Sequence, residues 1–294
     1  MFKKLALIVF GILGLILSFG SEGAYESTLN TEEGDKPRIT LSHMSWDDSL
    51  ASTAVIKNVL EDEGFIVDLV QLDPAFLYSS LATGDSDFSV SPWLPTTHES
   101  YMQKYGDQLD MIGPHTEGAQ ISLVVPSYME GIESISDLTN QADQIITGIE
   151  PGAGTTLQID EVMDKYNNLS DWDHQQSSTG AMLTELRQAY NNEKEIVIAG
   201  WTPHWKFIEY DLTILEDPKQ VFGIEENLTT VAREGLEEDN PVAYQIISNF
   251  SWDIEDIQEV MLNLQEMSTD AAARVWIENN PDKVAEWTEN ISVN

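Results

Sequence analysis

Apolar positions between residues 38 and 233 alternate between two periods. Runs with strand character occur at 38–42, 65–72, 87–91, 120–125, 144–149, 195–200 and 228–233. Between them, apolar residues recur at helical spacing near 49–62, 74–83, 96–105, 155–166 and 180–191. Strands separated by helices of about 10–15 residues predict parallel β-α-β units. Gly64, Gly84 and Gly106 stand where these helices should end, as C-cap glycines do. The stretch 241–289 is helical almost throughout, with breaks around Ser251, Ser268 and Pro281. The pattern predicts an α/β chain of two lobes around a cleft. Lobe 1 is expected to hold 37–119 and 236–294 and lobe 2 to hold 127–227, with crossings at 120–126 and 228–235. Ligands of open α/β sheets bind at the carboxyl ends of the strands, so function should be sought in the loops there.

The first residues follow a different pattern. Lys3 and Lys4 precede an uncharged apolar run from Leu5 to Leu17, and small residues follow. That layout predicts a secretory signal peptide over 1–23, cleaved after Gly20 or Gly23. An uncleaved anchor shares the pattern, but the run is short for a spanning helix. No cysteine follows it, so lipid attachment there is not expected. Residues 24–36 are polar and acidic and read as a flexible leader.

Composition narrows the setting. The 294 residues are 41% hydrophobic, enough for a packed core. Lys and Arg number 14 against 51 Asp and Glu, a formal charge of −37. Such a surface repels polyanions, which disfavours nucleic acid as a partner. Its acidity suits a salty medium, where screening weakens self-repulsion. Cysteine is absent, which excludes disulfides, thiolate catalysis and cysteine-based metal centres. A secreted acidic chain without disulfides fits the periplasm or a similar extracytoplasmic space.

Chemistry gathers at the strand ends. Trp46 follows the first strand, Trp93 the third, and Trp201 a strand of the second lobe. A tryptophan in a strand-to-helix loop is an unusual core choice, because its indole N–H needs a partner. Three in equivalent places suggest an aromatic enclosure, the known arrangement for a quaternary ammonium group. Trp172, Trp252, Trp276 and Trp287 lie in helical or edge contexts and should pack, and Trp205 should prop the loop of Trp201. Each cation–π contact contributes about 0.5–2 kcal/mol, whereas micromolar affinity needs about 8 kcal/mol. A second anchor is therefore required. Residues 145–156 read as a strand, a glycine-rich turn and a helix start at Thr155 or Thr156, whose free amides suit an oxyanion. The segment is not a Walker loop, since no Gly-Lys-Ser/Thr follows. His98 is a further donor. A cage with oxyanion donors describes a site for a small zwitterion.

Together, Trp46-Asp47, Trp93-Leu94-Pro95-x-x-His98, Gly148-x-x-Pro151-Gly152-x-Gly154 and Gly200-Trp201-x-Pro203-His204-Trp205 resemble the glycine betaine-binding proteins of osmoprotectant ABC importers. The likeness spans about 37–289. It implies an α/β, two-lobe periplasmic-binding-protein fold of type II-like form and no cofactor. It also implies a membrane permease and ATPase as partners. It implies further that Trp46, Trp93 and Trp201 cage the trimethylammonium group, and that His98 with the amides of Gly154 and Thr155 holds the carboxylate. Thr155 stands where an aliphatic residue is common, a change of little consequence for a backbone contact. Choline, carnitine or proline betaine are alternative ligands, though choline has no carboxylate for His98. An extracytoplasmic hydrolase is the remote alternative. Neither Gly-x-Ser-x-Gly nor His-Glu-x-x-His occurs, and no catalytic residue is expected. A calcium loop at Asp85-Ser86-Asp87 lacks its glycine and closing glutamate, so no metal is expected.

Overall fold

The computed structural model describes residues 36–223 and 225–289. The expected signal peptide at 1–23 lies outside the described residues, as does the leader apart from Lys36.

The first half opens with β1 (Arg38–His43), α1 (Asp47–Asp62), β2 (Ile66–Gln71) and α2 (Pro74–Thr83). Asp47 and Asp48 occupy the first turn of α1, where carboxylates favour the helix dipole. Pro74 starts α2, and Gly84 ends it in the left-handed conformation at φ 77°. Two short strands, β3 (Phe88–Ser89) and β4 (Trp93–Leu94), lead to α3 (Glu99–Tyr105). Gly106 follows α3 in a right-handed conformation, φ −57°, and the chain continues into a 3₁₀ turn. It is therefore not the left-handed cap that its position suggested.

The 18-residue β5 (Leu109–Pro126) joins the halves. Its first part pairs with β10 (Glu226–Arg233) and its second with β8 (Val197–Thr202) and β9 (Leu212–Ile214). The second half also holds β6 (Ile145–Thr147), α4 (Gly154–Lys165), β7 (Asp173–Gln175), α5 (Thr179–Asn191) and α6 (Lys206–Glu209). The strand order is β2-β1-β3-β10-β5-β8-β6-β7, with β4 on β10 and β9 on β5. Parallel pairs β1·β2, β1·β3, β6·β7 and β6·β8 form the centre of each half, and antiparallel β10 and β5 lie between them. All of β10 pairs with β3, β4 and the first part of β5.

The remaining helices are α7 (Leu236–Asp239), α8 (Pro241–Asn249), α9 (Ile254–Asn263), α10 (Thr269–Asn279) and α11 (Pro281–Thr288). α9, α10 and α8 pack on α1. Ser268 caps α10 by accepting the Ala271 amide, and Pro281 starts α11. Trp252, Trp276 and Trp287 are buried here with Phe250; Trp276 stacks on Trp287 at 5.7 Å and meets Trp252 edge-on at 5.2 Å. No described helix is long and apolar enough to cross a membrane.

Candidate ligand-binding site

The site is built from residues at or just beyond strand ends of both halves. Trp46 follows β1 and precedes α1, Trp93 begins β4, and Trp201 lies in β8. Trp93 and Trp201 are each 5% exposed and Trp46 is half-buried. All three line one small cavity with His98, Gly154 and Thr155. Thus the six residues singled out from the sequence lie around a single space. Asp48, Thr97, Ile121 and Ile149 complete its lining. Trp205 is buried but does not line it, in keeping with a prop. Trp172 is likewise buried elsewhere, its indole N–H donating to Thr139 O.

Carboxylates hold the indoles in place. The Trp93 Nε1–H donates to Asp48 Oδ2 at 2.9 Å, and the Trp46 Nε1–H donates to Glu150 Oε2 at 3.2 Å. Glu150 is itself held by the Thr179 amide and hydroxyl, both at 2.8 Å. The Trp205 Nε1–H donates to Asp47 Oδ2 at 2.6 Å. Trp46–Glu150 and Trp205–Asp47 each join the first half to the second. So does the Tyr101 hydroxyl, which donates to Gly152 O at 3.1 Å. Burial raises Asp48 to about 6, against the opposing hydrogen bond from Trp93.

Donor groups line the same cavity. Helix α4 starts at Gly154 with Ala153 as N-cap, which offers no capping side chain. The amides of Gly154, Thr155 and Thr156 find no backbone acceptor among the described residues. Such amides at a helix start favour an anion. The glycine is required sterically. A Cβ at Gly154 would lie 2.4 Å from the Thr97 carbonyl oxygen, across the cleft. His98 Nδ1 accepts the Trp93 amide at 2.9 Å, so the proton of the neutral ring sits on Nε2. Burial pushes His98 down to about 3, so it is neutral throughout the physiological range. The ring remains a hydrogen-bond donor.

A larger, more open cavity lies beside the strands that join the halves. Glu216, Asp217, Glu225 and Glu226 line it, and it contains no tryptophan. Its charge is wrong for a carboxylate and it has no cage for a cation. Sequence reasoning missed Asp48, Thr97, Glu150 and the two isoleucines. Asp48 was findable, since it stands two residues after Trp46 in a first helical turn. Ile121 and Ile149 carry no signal beyond that of any buried strand residue.

Residues 37–279 match the family model described as the substrate-binding domain of the ABC-type glycine betaine transport system. The glycine betaine/carnitine transport binding protein GbuC of Listeria monocytogenes is 46% identical over 157 residues, which are 53% of this chain and 52% of that protein. The chain therefore matches about half the length of that relative. The glycine betaine/proline betaine-binding periplasmic protein of Escherichia coli is 23% identical over 225 residues, 68% of this chain and 67% of that one. Among solved structures, lactococcal OpuAC, closed and complexed with glycine betaine, superposes with a TM-score of 0.85 at 42% identity. That superposition covers 86% of this chain and 100% of that one. A choline-binding protein in complex with choline gives 0.81 at 25%, covering 90% and 95%. These relatives are transport binding proteins, and their two-lobe periplasmic-binding-protein fold is the fold of this chain. The chain belongs to the family of substrate-binding domains of ABC-type glycine betaine transport systems.

Proposed function

We propose that this protein captures glycine betaine, or a close betaine, outside the cytoplasm and delivers it to the permease and ATPase of an ABC importer. It acts by binding, not by catalysis. Residues 1–23 direct its export and are removed. Its ligand lies between a lobe of 37–119 with 236–294 and a lobe of 127–227, with crossings at 120–126 and 228–235. Trp46, Trp93 and Trp201 cage the trimethylammonium group, and His98 with the amides of Gly154 and Thr155 holds the carboxylate.

One observation supports the reading: three indoles and a set of donor groups without backbone acceptors line the same small cavity. Indole faces attract the cation, while the free amides and neutral His98 suit the anion. A second reading, choline, is favoured by the Asp48 carboxylate in the lining and by the choline-binding structural relative. Calorimetry of the purified protein against glycine betaine, choline and proline separates them. Micromolar or tighter binding of betaine supports the first reading, and preference for choline supports the second. Trp46→Ala, Trp93→Ala and Trp201→Ala should each weaken betaine binding by about 1–2 kcal/mol or more, with Phe milder at each place. Trp252→Ala, far from the cavity, should lower stability and leave the affinity of the folded protein unchanged. Alanine at all three cage positions with affinity within about twofold would sink the cage.

A further inference from the structure

Lys206 is fully buried at the start of α6, 0% exposed, immediately behind the cage. Its Nζ lies 4.0 Å from the centroid of the Trp201 ring and 5.0 Å from that of Phe207, and donates to Trp201 O at 3.2 Å. Lys206 does not line the cavity, so it meets Trp201 from outside it. Among the described residues no carboxylate forms an ion pair with its Nζ; Asp48 and Asp47 of α1 act on it through space. Burial pushes its pKa down, while the Asp48 and Asp47 charges, the Trp201 carbonyl it donates to and the indole face beneath it all favour the ammonium form, the state in which it acts on Trp201. His204, whose Nδ1 accepts the Lys206 amide, is held neutral by burial and by this same cation.

The fold has little use for this ammonium group. A methionine fills a similar volume without the desolvation cost of a buried charge, and such replacements are commonly neutral or stabilising. What the group does supply is positive charge at the back of one cage wall. A cation already on the Trp201 ring weakens its attraction for a second cation in the cage, and repels that cation directly. A zwitterion suffers less, because its carboxylate sits in the same positive field. A ligand with net positive charge bears the whole penalty.

We propose that Lys206 is a specificity-determining residue, which biases the cavity toward zwitterions and against ligands of net positive charge by placing its ammonium group on the outer side of Trp201. The proposal rests on the quaternary-ammonium reading above. Calorimetry of wild type, Lys206→Met and Lys206→Gln against glycine betaine and choline, with circular dichroism melts to confirm folding, tests it. Gln keeps a donor for Trp201 O while removing the charge, and provides a second variant should Met disturb the packing. Both variants should raise the choline-to-betaine affinity ratio by about tenfold or more. A ratio unchanged in the folded variants, whatever happens to the absolute affinities, would overturn the proposal and leave Lys206 a packing residue. A wild type that binds neither ligand would overturn the quaternary-ammonium reading itself, and the proposal with it.

Discussion

At the scale of residues, His98 combines two properties that together define its use. Its Nδ1 is occupied by the Trp93 amide, and its burial among Tyr78, Tyr101 and the Trp93 loop keeps it neutral. It therefore offers one N–H and no charge. Removing that donor leaves a carboxylate oxygen short of a partner, at about 1.5–3 kcal/mol. His98→Ala should weaken betaine binding tenfold or more and barely change choline binding. An equal loss for both ligands would make His98 a support for Trp93 only. The same burial has a consequence for stability. Burial lowers His98 to about 3 and His115 to about 4, below the unfolded value near 6.5. Their contribution is complete above pH 6.5 and is lost as the pH falls toward those folded values, because only the unfolded chain takes up the protons. At pH 5 each histidine costs about 2 kcal/mol. Asp48, raised to about 6, opposes this between pH 6 and 3.8, where the folded state takes up its proton first. Two histidines outweigh one aspartate, so the ligand-free melting temperature should fall from pH 7 to pH 5. His115→Gln should flatten the slope, and a melting temperature independent of pH in that window would contradict the assignment.

At the scale of elements, the amino end of α4 and the Thr97 loop approach more closely than side chains allow. Gly154 makes that approach, and its amide belongs to the set of donors without backbone acceptors. Gly154→Ala places a methyl group 2.4 Å from a backbone oxygen, a contact that real Cβ atoms do not make. The helix itself favours alanine over glycine. The variant should therefore keep or gain thermal stability while losing betaine affinity by tenfold or more. Unaltered affinity would show that the two loops need not meet when ligand is bound. Trp46–Glu150 and Trp205–Asp47 act at the same scale. Each pins an indole from one half with a carboxylate from the other, so these indoles are held in place by the apposition of the halves.

At the scale of the whole molecule, these contacts exist only while the halves face each other closely. A ligand that adds contacts to both faces shifts the population toward that arrangement. Small-angle scattering should give a smaller radius of gyration with saturating betaine, and tryptophan fluorescence should change. Identical scattering curves with and without ligand would count against closure. Few chain connections oppose such a motion: the halves are joined by β5 and by the chain's return at β10.

Much of this was legible along the chain because it is local. Helix and strand periods follow from which faces are buried, and α2 falls at 74–83 as the pattern predicts. The three tryptophans and the glycine-rich turn stand next to strand ends, so their grouping in one cavity follows from the general geometry of α/β sheets. β4, β7 and β9 span only two or three residues, too few to establish a period, and became strands by pairing with neighbours already in place. A strand at 226–233 reads the same whether it joins two lobes or completes one, and only its partners, β3, β4 and β5, decide. The carboxylate partners of the indoles and the placement of Lys206 behind Trp201 belong to the tertiary structure as well. Glu150 lies 104 positions from Trp46, and Asp47 lies 158 from Trp205. Periodicity reports which way a side chain faces, whereas a hydrogen bond over that separation depends on how two lobes meet.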